Sequence, residues 1–218
     1  MNVKITASGG ISCKPDQATF LLTFNQESKD SEEIIKKGSE QIVEFQNLLK
    51  QLEIDKQDLK TTRYEIIPVK KTIEDKNDII EVSYVFSHYE LIQTNELTIN
   101  YSSIENILNI IDAISKMKNP PTYTIKFGVN METRNKLEEE ALANAIKLAE
   151  EKAEFIKNTM SKSNKTCLFI EVHNNFQDFD SDTNLGMSTY LRAGNSLDTI
   201  NPEDINIEAS ITSEWEFE

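Results

Sequence analysis

The amino-acid sequence predicts an α+β fold, an antiparallel β-sheet with long amphipathic helices packed on one face. Apolar residues alternate with polar ones near both ends and through the middle of the chain, the period of a half-buried strand. Between those stretches they recur every three or four positions over several turns, the period of a helix with one buried stripe. Size agrees: 218 residues, 38% hydrophobic and 28% charged, have an ordinary globular composition, and a chain of this length buries about 70% of its unfolded surface. The chain is read as one domain over residues 1–218, with a β-rich hairpin arm at about 59–100 and an irregular segment at about 174–199.

Val3, Ile5 and Ala7 alternate with Asn2, Lys4 and Thr6, and Ile11 resumes the pattern after Gly9-Gly10. A glycine pair inside a strand pattern predicts a bulge. Lys14-Pro15-Asp16 is turn chemistry, and Ala18, Phe20, Leu22 and Phe24 then share one face of a second strand, so the two are expected as an antiparallel hairpin. A helix entered near Ser31 carries Ile34, Ile35, Gly38, Ile42, Phe45, Leu48, Leu49 and Leu52 at helical spacing. Strand-like stretches follow at Leu59 to Lys71 and Ile79 to Asn100, joined by the charged tip Glu74-Asp75-Lys76-Asn77-Asp78, with Tyr64, Tyr84, Phe86 and Tyr89 on the two arms. Cross-strand aromatic pairs stabilise sheets, and some of these four are candidates for a recognition surface.

Ser102 and Ser103 open a second helix through Ile104, Ile107, Leu108, Ile111 and Ile114, which Asn119-Pro120-Pro121 terminates. Tyr123, Ile125 and Phe127 share a face of the next strand. The longest helix, from about Thr133 to Ser163, carries Ala141, Ala145, Ala149 and Ala153 at strict four-residue spacing, a stripe that lets another backbone lie close. Thr166 to His173 is a strand, and Asn174 to Thr199, rich in Asn, Asp and Ser, is expected to be mobile or a lid. Ile205, Ile207, Ala209 and Ile211 alternate in a final strand.

Several phrases in this order resemble the bacterial SIMPL-domain family. They are Gly9-Gly10 leading to Lys14-Pro15-Asp16-Gln17-Ala18, then Lys60-Thr61-Thr62-Arg63-Tyr64-Glu65-Ile66-Ile67-Pro68 in the middle strand. Glu140-Ala141-Leu142-Ala143-Asn144-Ala145 with Lys152-Ala153 follows on the long helix, and Asn201-Pro202-Glu203-Asp204-Ile205 before the last strand. The resemblance covers nearly the whole chain. It implies helices against an antiparallel sheet, higher-order oligomers, a link to stress protection and, for many members, export to the cell envelope. It carries over no catalytic residue, and Glu203 replaces the glycine usual after the terminal proline.

Chemistry tested on the residues assembles no site, so the expectation is no catalytic, cofactor-binding or metal-binding residue and no cofactor. His88 and His173 are the only imidazoles, and neither stands beside a cysteine or in a nucleophile elbow. Cys13 and Cys167 lie far apart in strand-like surroundings and are expected as two buried thiols. Asp178-Phe179-Asp180-Ser181-Asp182-Thr183-Asn184 alternates oxygen ligands as calcium loops do, but Thr183 stands at the sharp-turn glycine and Thr189 at the bidentate glutamate. The scattered glycines form no phosphate-cradling loop.

A formal charge of −14 disfavours nucleic acid and anionic membrane, which need Lys and Arg to neutralise phosphates. There is no apolar run of about 18 residues or more to span a membrane. Met1 to Thr6 lacks the basic region and apolar stretch of a secretory signal. The expected location is cytoplasmic, with the periplasm or cell envelope as the alternative for a trimmed chain. The functional expectation is a non-enzymatic SIMPL-domain protein acting through self-assembly or protein contacts at Tyr64 to Phe86 and Asn174 to Thr199. The alternatives are a small-ligand binder with a lid segment and, further off, a hydrolase.

Overall fold

The computed structural model describes residues 1–74, 82–173 and 200–218, with the backbone alone for residues 72–74, 82 and 83. Seven strands and three α-helices follow one another as β1 (Asn2–Cys13), β2 (Gln17–Ser28), α1 (Ser31–Gln51), β3 (Leu59–Glu74), β4 (Val82–Asn100), α2 (Ile104–Ser115), β5 (Thr122–Gly128), α3 (Met131–Thr159), β6 (Lys165–His173) and β7 (Ile205–Phe217). The α+β class is as expected. Instead of one sheet there are two, a three-stranded sheet in the order β1-β7-β6 and a four-stranded sheet in the order β3-β4-β2-β5. They belong to two compact units, one built from Met1–Asp16, Asn201–Glu218 and the described part of Gly128–Leu185, the other from Gln17–Phe127 and Ile200.

The expected β1–β2 hairpin does not form. β1 pairs antiparallel with β7 along its full length, from Asn2 opposite Glu216 to Cys13 opposite Ile205, while β2 pairs with β4. The connection Lys14-Pro15-Asp16 contains no glycine or asparagine to adopt the positive φ of a tight hairpin turn. Asp16 is held elsewhere: its N–H donates to Gly128 O at 3.0 Å, and its carboxylate accepts from Asn130 N at 2.7 Å, Asn130 Nδ2 at 2.8 Å and Thr133 Oγ1 at 2.6 Å. Asn130 in turn caps α3, its side chain accepting from Thr133 N. The turn phrase is therefore a clamp on the N-terminus of α3, with charge-assisted bonds to a part-buried carboxylate.

The expected bulge at Gly9-Gly10 is also absent, since the β1–β7 register runs unshifted through Gly9 opposite Ala209. Gly9 serves close packing instead. A Cβ there would lie 2.3 Å from Ala145 N and 2.4 Å from Ala141 O, both backbone atoms of α3. The alanine stripe Ala141, Ala145, Ala149 and Ala153 is fully buried, and α3 lies against β1 and β7. Ile5, Ala7, Ile211, Trp215 and Phe217 complete this core, with Leu137, Ile207 and Ala209 at one end.

The other unit packs with large side chains. Phe20, Phe24, Phe45, Leu49, Leu97, Ile107, Ile110 and Ile114 form one cluster between the sheet and α1 and α2. The Phe24 and Phe45 rings meet at 5.8 Å between centroids. Asp30, the residue before Ser31, caps α1 by accepting from Glu32 N and Glu33 N. Buried Gln41 accepts from Gln26 Nε2 and donates to Asn119 O, so its burial leaves no polar atom unmatched.

Candidate functional site

Neither cysteine is an activated nucleophile. Cys13 is half-buried and its thiol is pushed up by burial and by the carboxylates of Asp16 and Asp204. Cys167 is exposed, against the expectation of two buried thiols; its β6 surroundings are apolar in sequence but uncovered in space. Partial burial also raises its thiol, and its Sγ contacts Phe169 O at 3.6 Å. Thiolate, the reactive form, is therefore disfavoured at both positions. The two thiols are free, so no bridge joins them.

The histidines separate. His173, in β6, has Nε2 within 2.7 Å of Thr212 Oγ1 on the paired strand β7. His88, in β4, stands at a cluster that sequence reasoning missed. Glu27 in β2 lies directly opposite Glu90 in β4, and His88 is two residues before Glu90, hence on the same face of the sheet. That face points away from the helices, because the buried side chains of β4 are Leu91, Gln93, Asn95, Leu97 and Ile99. His88 Nε2 is 3.5 Å from Glu90 Oε1 and 3.9 Å from Glu27 Oε2.

A bulge aims the imidazole. Val69 of β3 pairs with His88 and Lys70 pairs with Phe86, leaving Ser87 as the extra residue of β4. Bulges re-aim the side chains beside them, and here the Ser87 hydroxyl lies 3.0 Å from His88 Nδ1. His88 Nε2 is buried without a hydrogen-bond partner; the other buried side-chain atom so orphaned among the described residues is Asn95 Oδ1. The three ligand atoms of Glu27, His88 and Glu90 lie within 4.8 Å of one another, a set able to hold a cation. The calcium-like phrase Asp178 to Asn184 and the segment Asn174 to Thr199 lie outside the described residues.

Two apolar surfaces stand open. Beyond the end of β2, β3 and β4 continue as a two-stranded ribbon, and residues 75–81, which include most of the charged tip expected at Glu74 to Asp78, lie outside the described residues. Tyr84, Val85 and Phe86 are exposed there, as is Tyr64 further along β3; Phe86 packs on Tyr89, with centroids 4.9 Å apart. The second surface is β6, an edge strand among the described residues, in which Leu168, Phe169, Ile170 and Val172 are each 40 to 47% exposed. Neighbours in a strand point to opposite faces, so among the described residues β6 presents exposed apolar side chains on both sides. A shallow groove of about 510 Å³ lies between β1 and α3, lined by Lys4, Ile5, Leu148, Glu151, Phe155 and Ile156.

Fold and surfaces together define an α+β protein of two helix-backed antiparallel sheets, one of which ends, among the described residues, on the apolar strand β6. The family model for SIMPL, a protein family of unknown function (DUF541), matches residues 3–215, and the chain belongs to that family. No curated protein matches the chain. No helix among the described residues is long and apolar enough to cross a membrane.

Proposed function

We propose that this protein acts without catalysis, through self-assembly, copies joining antiparallel along β6 about a two-fold axis. One observation supports this reading above the rest: a nine-residue edge strand whose large apolar side chains are exposed on both faces. A sheet edge offers a row of N–H and C=O groups for pairing, and natural proteins protect edges with charges, prolines or cover. β6 has no proline, and its one carboxylate is Glu171. Its start is anchored, with Lys165 Nζ 3.1 Å from Glu154 and 5.4 Å from the centroid of the Trp215 ring. Pairing between copies satisfies the free backbone groups and removes the apolar side chains from water in one step.

The exposed aromatics of the β3–β4 arm support a second contact of the same assembly. The stress-related role implied by the family resemblance belongs to this proposal as its biological setting. A ligand-binding role has weaker support, because binding pockets need convergent polar groups within an enclosed apolar wall and the β1–α3 groove is shallow. Light scattering over a hundredfold concentration range tests the proposal. The wild-type chain is expected to exceed its 24.9 kDa monomer mass, and Ile170→Lys, which puts a charge on the edge, is expected to return it to monomer. A wild-type monomer throughout, or an unchanged mass in the variant, overturns the proposal.

A further inference from the structure

We propose that Glu27, His88 and Glu90 bind a first-row divalent transition metal, of which zinc is the reference ion. Independent observations converge on a cation at this point. Glu27 and Glu90 are directly opposed across β2 and β4, and like charges at opposed positions destabilise a sheet unless something compensates them. Among the described residues, His88 is the one basic group within 4.0 Å of either carboxylate. Its Nε2 is buried, unpartnered and turned toward both carboxylates. The bulge at Ser87 delivers it there, at a cost in ladder pairing.

The donor set fits a transition metal better than calcium or magnesium, because an imidazole nitrogen suits zinc and its neighbours while all-oxygen shells suit the harder ions. Ligand atoms about 2.1 Å from a tetrahedral zinc lie about 3.4 Å apart. The 3.5 Å between His88 Nε2 and Glu90 Oε1 already matches that spacing. Glu27, 71% exposed, is free to close the remaining gap from 3.9 Å. Metal-bound histidines hold their other nitrogen by a hydrogen bond that fixes the tautomer, and the Ser87 hydroxyl beside Nδ1 supplies one. Three protein ligands leave a position open to water or to an external donor atom. This inference stands apart from assembly along β6, since every residue in it belongs to β2 or β4.

Calorimetric titration of the full chain with zinc is expected to give one site per chain, at least tenfold weakened in His88→Gln and in Glu90→Gln. The Cys13→Ser/Cys167→Ser double variant is expected to keep it. The chain has two histidines, so substoichiometric cobalt should broaden one of two imidazole signals in nitrogen-15 spectra, the one that His88→Gln removes. Glu27→Gln should weaken zinc binding and raise the melting temperature of the metal-free protein, because it removes the like-charge opposition. Binding that survives His88→Gln, binding lost in the cysteine variant, no binding at all, or a lowered metal-free melting temperature in Glu27→Gln each overturns the assignment.

Discussion

The two compact units solve the same packing problem in opposite ways. In the unit containing α3, one helix lies on the three-stranded sheet through alanines, and Gly9 lets the backbones of helix and strand approach closely. In the unit containing α1 and α2, two helices stand off the sheet on phenylalanine, leucine and isoleucine side chains. Each unit is therefore vulnerable to a different kind of substitution. A core of large side chains is weakened by deletion, whereas a backbone-close core is weakened by addition. It also bears on what is left open, because α3 covers β1 and β7 and barely reaches β6, whose apolar residues remain exposed.

Substitutions of opposite sign sharpen the contrast. Phe45→Ala, which empties a fully buried site against Phe24, should cost about 3 to 5 kcal/mol in chemical denaturation. Gly9→Ala adds one methyl against the α3 backbone and should cost about 3 kcal/mol, the upper end for overpacking, since backbone yields little. Trp215, the single tryptophan, is buried in that same unit, so its fluorescence reports the loss directly. Equal tolerance of Gly9→Ala and of a surface alanine substitution would break the comparison.

Asp16→Ala removes the carboxylate that accepts three bonds from Asn130 and Thr133. It should cost about 2 kcal/mol, as expected for hydrogen bonds to a charged group. The smallest effect belongs to Gly38→Ala in α1. A Cβ there meets Leu91 Cδ2 at 2.2 Å, the end of a side chain that can turn away. A rotamer shift costs about 1 kcal/mol, and replacing a mid-helix glycine with alanine returns about as much, so the net change should stay within about 1 kcal/mol. A Gly38→Ala effect as large as that of Gly9→Ala would show that the two glycines play the same part.

What was legible in the sequence follows the range of each signal. The helices could be read because their buried stripes are local, and the alanine spacing of α3 announced its close packing. Gly9 was misread as a bulge because a glycine pair in a strand marks a bulge and a close approach alike; choosing between them needs the helix across from it. The pairing of β1 with β7 joins residues some two hundred positions apart and leaves no local trace. Two of the three residues of the Glu27, His88 and Glu90 cluster were within reach, since His88 and Glu90 two apart in a strand share a face. Glu27 enters only through the β2–β4 register, and the bulge at Ser87 only through the pairing with β3. Cys167 looked buried because its neighbours are apolar; its exposure comes from the edge position of β6.

Amide hydrogen exchange along β6, followed from dilute to concentrated protein, tests whether copies join at this strand. In a free edge strand the N–H groups that point away from β7 exchange rapidly. If copies join along this edge, those amides from Lys165 to His173 gain protection as the concentration rises, and Ile170→Lys abolishes the gain. Rapid exchange of the same amides at concentrations where the protein is demonstrably assembled would contradict the account and move the contact to another surface.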